Sequence, residues 1–186
     1  PDENSCCHGT GLETPFMNLE DAYHVPCDPN EGNVLYVDLF VPSTVESRVR
    51  GFALEQKVDP FDPGAISYEL TCEYPLELRV RKPTWFAGCI RYRLDGEHFE
   101  AQEENGYLLF PLEPGKHGIE IDVPVSLHME RAQDDPEKYS VLFGPYVLAA
   151  ISDSEERLAL RSPDLLQSLR AVEGEPMTFA SEAYGL

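Results

Sequence analysis

Basic residues are scarce in this sequence. Fourteen Lys and Arg residues stand against 34 Asp and Glu residues, which gives the 186-residue chain a formal net charge of −20. Such a chain repels phosphate backbones and anionic membrane surfaces, so we expect neither nucleic acid nor a membrane as a partner. The acidic residues are spread along the chain, which is typical of a solvated surface and is compatible with a neutral or cationic ligand.

Long apolar runs are also missing, and the cysteines follow no disulfide pattern. No run approaches the about 20 apolar residues of a membrane-spanning helix, and no leader of basic then apolar residues is present. The five cysteines are odd in number and irregularly spaced, which favours thiols or metal ligands and a cytoplasmic location. A start at Pro1 without Met predicts a fragment or a processed product, so the N-terminus leaves the compartment open.

What the sequence does contain, from residue 34 onward, is a regular alternation of apolar and polar residues. In "AISYELTC" at 65–72 every second side chain is apolar or Cys, and "LELRVRK" at 76–82 and "CIRYRL" at 89–94 repeat the pattern. This period predicts antiparallel strands with one buried face. Further strands are predicted at 34–41, 52–58, 107–112, 117–123, 125–130 and 140–151.

Turns that contain Gly or Pro separate these segments, as in "LDGE" at 94–97 and "ENG" at 104–106. Many short strands with such turns predict an all-β fold, an antiparallel β-sandwich over residues 31–132. We expect residues 133–186 to form a linker and the start of a second, incomplete β-rich segment. Short helices are predicted within 10–25, where apolar residues recur every three or four positions, and at 162–170, where Ser162 is an N-cap.

The sequence "NSCCHGTGLE" at 4–13 contains the adjacent pair Cys6 and Cys7. Adjacent cysteines rarely bridge each other, because their Cα atoms, about 3.8 Å apart, are too close for ordinary disulfide geometry. Three interpretations remain: two inert buried thiols, two metal ligands, or one nucleophilic thiolate. Spacing alone favours the inert thiols. For zinc, His8, Glu3 and Glu13 are local candidate ligands without a motif that completes the site.

Aromatic and acidic residues elsewhere give weaker indications. Trp85 and the adjacent Phe86 are candidates for stacking on a sugar ring, although packing in the protein interior is the favoured role. Tyr107 and Tyr146 are predicted to lie in the core. The acidic stretch "EHFEAQEENG" at 97–106 lacks the regular pattern of a calcium loop, so solvated charge is the favoured interpretation.

"SCCHGTGLE" at 5–13 resembles the Cys-Cys-x-Gly-Thr-Gly-x-Glu motif of glycoside hydrolase families 127 and 146, the β-L-arabinofuranosidases. The likeness continues in the same order through most of residues 5–150. The segments that carry it are "LYVDLFVPS" at 35–43, "LRVRKPTW" at 78–85, "GYLLFPLEPGKHGIEIDVPVSLHMER" at 106–131 and "VLFGPYVLA" at 141–149.

The resemblance implies a zinc-dependent, retaining glycoside hydrolase whose helical (α/α)6 barrel precedes the sandwich. Carried over by motif, Cys6 corresponds to the nucleophile, and both Cys6 and Cys7 correspond to zinc ligands beside an upstream Glu and Cys from a Glu-x-Cys segment. An upstream glutamate would act as acid and base. The implied substrate is a carbohydrate with terminal L-arabinofuranosyl or related residues.

The same resemblance implies that residues 1–30 are the tail of the truncated barrel, with the upstream barrel domain as the partner of the sandwich. This fragment alone is then expected to be inactive and need not hold zinc. One alternative is a non-catalytic β-sandwich that supports a partner domain or binds carbohydrate. Another is a small zinc or redox protein built on Cys6 and Cys7.

Overall fold

The structure, a computed structural model, describes residues 21–28, 32–86, 88–151 and 165–181. Within these ranges it contains sixteen strands and one short helix. The strands of the first half are β1 (Tyr23–His24), β2 (Val34–Val37), β3 (Ser43–Ser47), β4 (Phe52–Asp59), β5 (Asp62–Cys72), β6 (Leu76–Arg81), β7 (Arg91–Leu94) and β8 (Glu97–Phe99). They are followed by β9 (Gln102–Glu104), β10 (Tyr107–Leu112), β11 (Gly115–Asp122), β12 (Leu127–Arg131), β13 (Tyr139–Phe143), β14 (Tyr146–Val147), the helix α1 (Leu165–Ser168), β15 (Leu169–Ala171) and β16 (Phe179–Ser181).

Two sheets share one hydrophobic core, as predicted for a β-sandwich. The five-stranded sheet has the order β1-β2-β6-β10-β9, and the six-stranded sheet has the order β3-β4-β5-β11-β7-β8. Strands β12 to β14 form a three-stranded sheet, and β15 and β16 form a two-stranded one. Among the described residues, all strand pairs are antiparallel except β2 and β6, which run parallel, so the predicted antiparallel β-sandwich is confirmed with one parallel pair in it.

The core is built from the apolar residues of the predicted alternation. Leu78 on β6, Phe110 on β10, Leu70 on β5 and Ile119 on β11 are all fully buried. Their neighbours along each strand point outward, because successive side chains of a strand project to opposite faces. Tyr92 and Leu94 also point inward, as predicted, but are only partly buried against this core.

Two predicted turns are tight hairpins whose backbone requires the residues present. Asp95 and Gly96 join β7 to β8, and Asn105 and Gly106 join β9 to β10; all four have positive φ, between 51° and 82°. A two-residue hairpin with both central residues in this region is the type I′ turn, which favours Asn-Gly and Asp-Gly. The turn sequences therefore fix the register of both hairpins.

Several other expectations are corrected by the structure. The helix predicted within 10–25 does not extend through Tyr23 and His24, which form β1, because their backbone pairs with β2. Residues 10–20 of the predicted range lie outside the described residues. The helix predicted at 162–170 is present as Leu165–Ser168 and gives way to β15 at Leu169. The strand predicted at 140–151 is divided into β13 and β14 by a turn at Gly144.

Both tyrosines that were expected in the core lie outside it. Tyr107 is half-buried on the outer surface of the five-stranded sheet, and Tyr146 is half-buried in the three-stranded sheet. The boundary predicted near residue 30, between a helical tail and the sandwich, stays a prediction, since residues 1–20 and 29–31 lie outside the described ranges. In the described part of the chain, no helix has the length and apolar character to cross a membrane.

Candidate functional site

The predicted site residues Cys6 and Cys7, with His8, Glu3 and Glu13, lie outside the described residues. Their roles therefore stay predictions. The described chain starts at Asp21 and enters the five-stranded sheet through β1. Beside β1 the structure places a cleft of polar and aromatic side chains, which we call the Asp38 cleft. Its lining residues are Asp21, Tyr23, His24, Asp38, Leu39, Arg81, Lys82, Asn105, Gly106 and Tyr107.

Asp38, the first residue after β2, organises this cleft. Its Oδ2 lies 2.6 Å from Nδ1 of His24, and its Oδ1 accepts a hydrogen bond of 2.6 Å from the hydroxyl of Tyr107. The backbone N–H of Asp38 donates to the carbonyl of Ala22, which holds Asp38 beside β1. The carboxylate thus joins side chains that are far apart in sequence.

Aromatic rings cover the sheet next to Asp38. The imidazole of His24 stacks on the ring of Tyr36, with centroids 4.2 Å apart and planes 8° from parallel. Tyr36 meets Tyr107 edge-on at 5.1 Å, and the guanidinium of Arg79 lies over the Tyr36 ring, 5.5 Å from its centroid. This surface, formed by His24, Tyr36, Arg79 and Tyr107, is called the aromatic face below.

These contacts indicate where the protons of Tyr107 and His24 lie in the cleft. Burial, with the hydrogen bond to Asp38, raises the pKa of Tyr107 to about 12, so its hydroxyl stays protonated at neutral pH. Because a carboxylate only accepts hydrogen bonds, Nδ1 of His24 carries the proton in their contact. In the neutral ring the lone pair is then on Nε2, and the His24 side chain is 52% exposed.

A buried amide anchors β1 to the other sheet. Gln56 on β4 is only 1% exposed, and the two protons of its Nε2 are shared among three acceptors within hydrogen-bond distance, the Tyr23 hydroxyl and the carbonyls of Leu39 and Val41. The Tyr23 hydroxyl also bonds to Oγ of Ser43 at 2.8 Å. One side chain therefore fixes both the strand that enters the sandwich and the loop that follows Asp38.

The aromatic pair proposed as a sugar platform is part of the interior. Phe86 is 5% exposed and belongs to the core, and the half-buried Trp85 packs edge-on against Phe86 and Phe40. Packing, the favoured role, is therefore what the structure shows for this pair.

In the acidic stretch at 97–106, Glu103 is paired with Lys82, and Glu104 lies 3.9 Å from Arg79. Within the described ranges, no group of three or more His, Cys, Asp or Glu side chains is arranged to hold a metal ion. The described cysteines Cys27, Cys72 and Cys89 are free thiols.

Sequence reasoning missed His24, Asp38 and Tyr107. The signal for Tyr107 is present in the strand alternation, since Leu108, Phe110 and Leu112 face the core and Tyr107 must face away. The same alternation puts Arg79 on the outer face of β6. Nothing in the sequence shows that β1 pairs with β2 and brings His24 beside Asp38.

Comparison with known families and structures gives the context of this fold. A family model described as "Beta-L-arabinofuranosidase, GH127 middle domain" matches residues 34–129, just over half of the chain. No curated protein matches the sequence.

Several solved structures are similar in fold. One, titled "Glycoside hydrolase", has a TM-score of 0.62 at 21% identity and is matched over 78% of this chain and 25% of its own. A GH127 β-L-arabinofuranosidase from Geobacillus stearothermophilus T6 has a TM-score of 0.54 at 19% identity, over 69% and 21%. Another GH127 β-arabinofuranosidase has a TM-score of 0.54 at 20% identity, over 68% and 23%. The chain therefore spans a quarter or less of the length of these structures.

Proposed function

Since this chain belongs to the GH127 β-L-arabinofuranosidase family through its middle domain, we propose that it is part of a retaining glycoside hydrolase with Cys6 as nucleophile. The observation that carries the proposal is the family match over 34–129, directly downstream of the segment with the Cys-Cys motif. The proposed substrate is a carbohydrate with a terminal L-arabinofuranosyl or related residue.

In the proposed reaction, Sγ of Cys6 attacks the anomeric carbon while the bond from that carbon to the leaving-group oxygen breaks. The leaving group takes a proton from an acidic side chain that the resemblance assigns to an upstream glutamate. Water, deprotonated by the same glutamate, then displaces the thiolate, which restores Cys6 and retains the anomeric configuration. Two successive displacements at one carbon account for retention.

A thiolate needs help to persist at neutral pH, and the resemblance assigns this role to zinc. The donor set fits in kind, because two adjacent thiols are ligands that zinc prefers. Cys6 and Cys7 would hold the ion, and the described residues add no cluster that could complete the site. Bound zinc would supply a deprotonated, positioned thiolate. The other two ligands are proposed to come from the Glu-x-Cys segment of an upstream barrel.

The experiment compares single cysteine variants in the intact parent protein. With p-nitrophenyl β-L-arabinofuranoside as substrate, we expect Cys6→Ser to abolish turnover and Cys89→Ser, at an exposed free thiol, to leave it unchanged. The 186-residue chain alone is expected to show no turnover, because the proposed acid/base and the other ligands lie upstream. Wild-type turnover by Cys6→Ser would exclude the assigned nucleophile.

One observation favours a second candidate, a non-catalytic sandwich that supports a partner domain. The core cluster is formed by described residues of both sheets between Leu35 and Val123, so the sandwich has a core of its own. An upstream barrel sequence that carries Glu-x-Cys would favour the enzyme, and its absence would favour the supporting module. The cytoplasmic location favoured by the cysteine usage stays a prediction.

A further inference from the structure

The Asp38 cleft presents hydrogen-bonding groups whose directions are already fixed. Asp38 uses one carboxylate oxygen for His24 and the other for Tyr107, so both side chains are held before any ligand arrives. In these two contacts, the proton on Nδ1 of His24 and the hydroxyl proton of Tyr107 both point toward Asp38. What remains for a ligand is the Nε2 lone pair of His24 and the free lone pairs of the Tyr107 oxygen, which are acceptors.

Cationic donors line the same cleft, and one of them, Arg81, lies directly opposite Tyr107 in the pairing of β6 with β10. Arg81, which is exposed, and Lys82, which is paired with Glu103, line it next to the turn at Asn105 and Gly106. The cleft therefore offers acceptors and donors within one concave surface. Its volume of about 640 Å³ falls in the range of small-molecule sites.

This combination of groups selects among ligand classes. An anion would meet the carboxylates of Asp21 and Asp38 and the field of a chain with a net charge of −20. A cation would meet Arg81 and Lys82. A neutral ligand with several hydroxyl groups satisfies both kinds of group, because each hydroxyl can donate to an acceptor and accept from a donor. The His24 ring, which stacks on Tyr36 and is 52% exposed, adds ring surface in the cleft on which a sugar can pack.

We propose that the Asp38 cleft is a binding site for a neutral saccharide, with His24 and Tyr107 as acceptors and Arg81 as donor. The proposal goes beyond the function proposed above, since it requires neither Cys6 nor zinc. The family assignment enters only through the choice of the probe sugar. Binding is expected to be weak, in the millimolar range, because the cleft is open and the ligand small.

The test is an NMR titration of the ¹⁵N-labelled 186-residue chain with methyl β-L-arabinofuranoside. We expect saturable shifts confined to the amides of His24, Asp38, Arg81 and Asn105 to Tyr107. Equal concentrations of inorganic phosphate should give no saturable shifts there. An absence of saturable shifts with the sugar, or equal binding of phosphate, would overturn the proposal.

Two variants separate recognition from folding. His24→Phe keeps a flat ring on Tyr36 but removes Nε2, together with the Nδ1 contact to Asp38, and we expect binding to weaken roughly threefold to tenfold, as for the loss of one hydrogen bond to the ligand. Arg81→Met keeps most of the stem, removes the donor at an exposed position, and should weaken binding similarly. His128→Phe, outside the cleft on β12, is the matched control and should bind as the wild type does. Wild-type affinity in both cleft variants would contradict the proposal, whatever the behaviour of Cys6.

Discussion

The two outer surfaces of the sandwich satisfy their polar groups in different ways. On the six-stranded sheet, charged side chains pair across neighbouring strands: Lys57 with Glu69 at 2.6 Å, Arg93 with Glu120 at 2.9 Å, and Arg91 with Asp122. These side chains are about half exposed or more. We call this surface the ion-pair face.

The aromatic face of the five-stranded sheet is different. Here Arg79 is 21% exposed and lies over Tyr36, and Asp38 is 20% exposed and holds two partners. Exposed ion pairs contribute little to stability and impose little geometry. Partly buried hydrogen bonds fix side chains in place. The ion-pair face thus presents solvated charges, whereas the aromatic face holds its side chains in fixed positions, as the proposed saccharide site requires.

The comparison depends on both faces resting on one core, which Phe110→Ala tests. Phe110 is fully buried in the five-stranded sheet and stacks at 5.3 Å on Phe99 of the six-stranded sheet. Its removal leaves a cavity between the sheets, and we expect a loss of about 3–5 kcal/mol in the free energy of unfolding, measured with urea. Leu109→Ala, at the outward-facing neighbour, is the control and should cost clearly less. Equal losses would mean that the core does not join the sheets.

Neutralising one carboxylate on each face compares how much the two faces contribute to the free energy of unfolding. Asp38→Asn cannot accept from both His24 and Tyr107, and we expect a loss of about 1–3 kcal/mol in the free energy of unfolding. The matched Glu120→Gln removes the partner of Arg93 on the ion-pair face and should cost about 0–1 kcal/mol. Urea unfolding at pH 7 measures both. A larger loss for Glu120→Gln would reverse the comparison.

His117 on the six-stranded sheet differs from these exposed ion pairs because its side chain is largely buried. Its contribution to stability should depend on pH. Its side chain is 15% exposed, with Nδ1 2.8 Å from Asp95 and Nε2 2.7 Å from the carbonyl of Glu113. Burial lowers its pKa, but the two acceptors raise it by more, so the net shift is upward. His117 therefore stabilises the fold fully below its unfolded pKa of about 6.5, and this contribution is lost as pH rises through the folded pKa.

Urea midpoints between pH 5 and 9 measure this effect. The wild type should lose stability across the neutral range relative to His117→Gln, which has no titrating ring. His98→Gln, at an exposed histidine on β8, should follow the wild type. Parallel pH profiles for the wild type and His117→Gln would contradict the interpretation of the two acceptor contacts.

The smallest effect concerns one proton on the aromatic face. Burial and Asp38 raise the pKa of Tyr107 to about 12, so its phenol should remain protonated at pH values just above 10, where tyrosines ordinarily titrate. In Asp38→Asn, the Tyr107 side chain stays buried to the same extent but no longer lies beside a negative charge. The pKa of Tyr107 should therefore fall below the wild-type value and stay above the ordinary tyrosine value of about 10. Tyrosine ¹³Cζ chemical shifts follow this titration. An unchanged pKa in the variant would show that Asp38 does not act on Tyr107.

The sequence predicts the sandwich well because alternation records which side chains are buried. Leu76, Leu78 and Val80 face the core as the period requires, and the Asp-Gly and Asn-Gly turns close hairpins where they were expected. Local sequence patterns do not predict strand pairs that depend on contacts between distant segments of the chain. The parallel register of β2 on β6 and the short strand β1 are set by tertiary contacts, including the amide of Gln56, which no local pattern reveals.

The candidate site residues also fall into two groups: those that a local sequence pattern indicates and those that only the tertiary fold brings together. The Cys-Cys motif is a local signal, and it indicated a chemistry for Cys6 and Cys7 that stays a prediction. The hydrogen-bonded centre of the cleft is formed by His24, Asp38 and Tyr107, of which the last two are 69 positions apart and meet only when β2 and β10 join one sheet. The prediction that Tyr107 lies in the core is wrong because the alternation along β10 buries Leu108 and Phe110 and puts Tyr107 on the outer surface.

The proposal that Cys6 is the nucleophile of a glycoside hydrolase is tested most directly by peptide mass spectrometry of the intact parent protein, quenched by acid during turnover of p-nitrophenyl β-L-arabinofuranoside. We predict a mass increase of one anhydropentosyl unit on the peptide that contains Cys6 and Cys7, with fragmentation placing it on Cys6. A pentosyl adduct on a carboxylate, or on Cys7, would contradict the account.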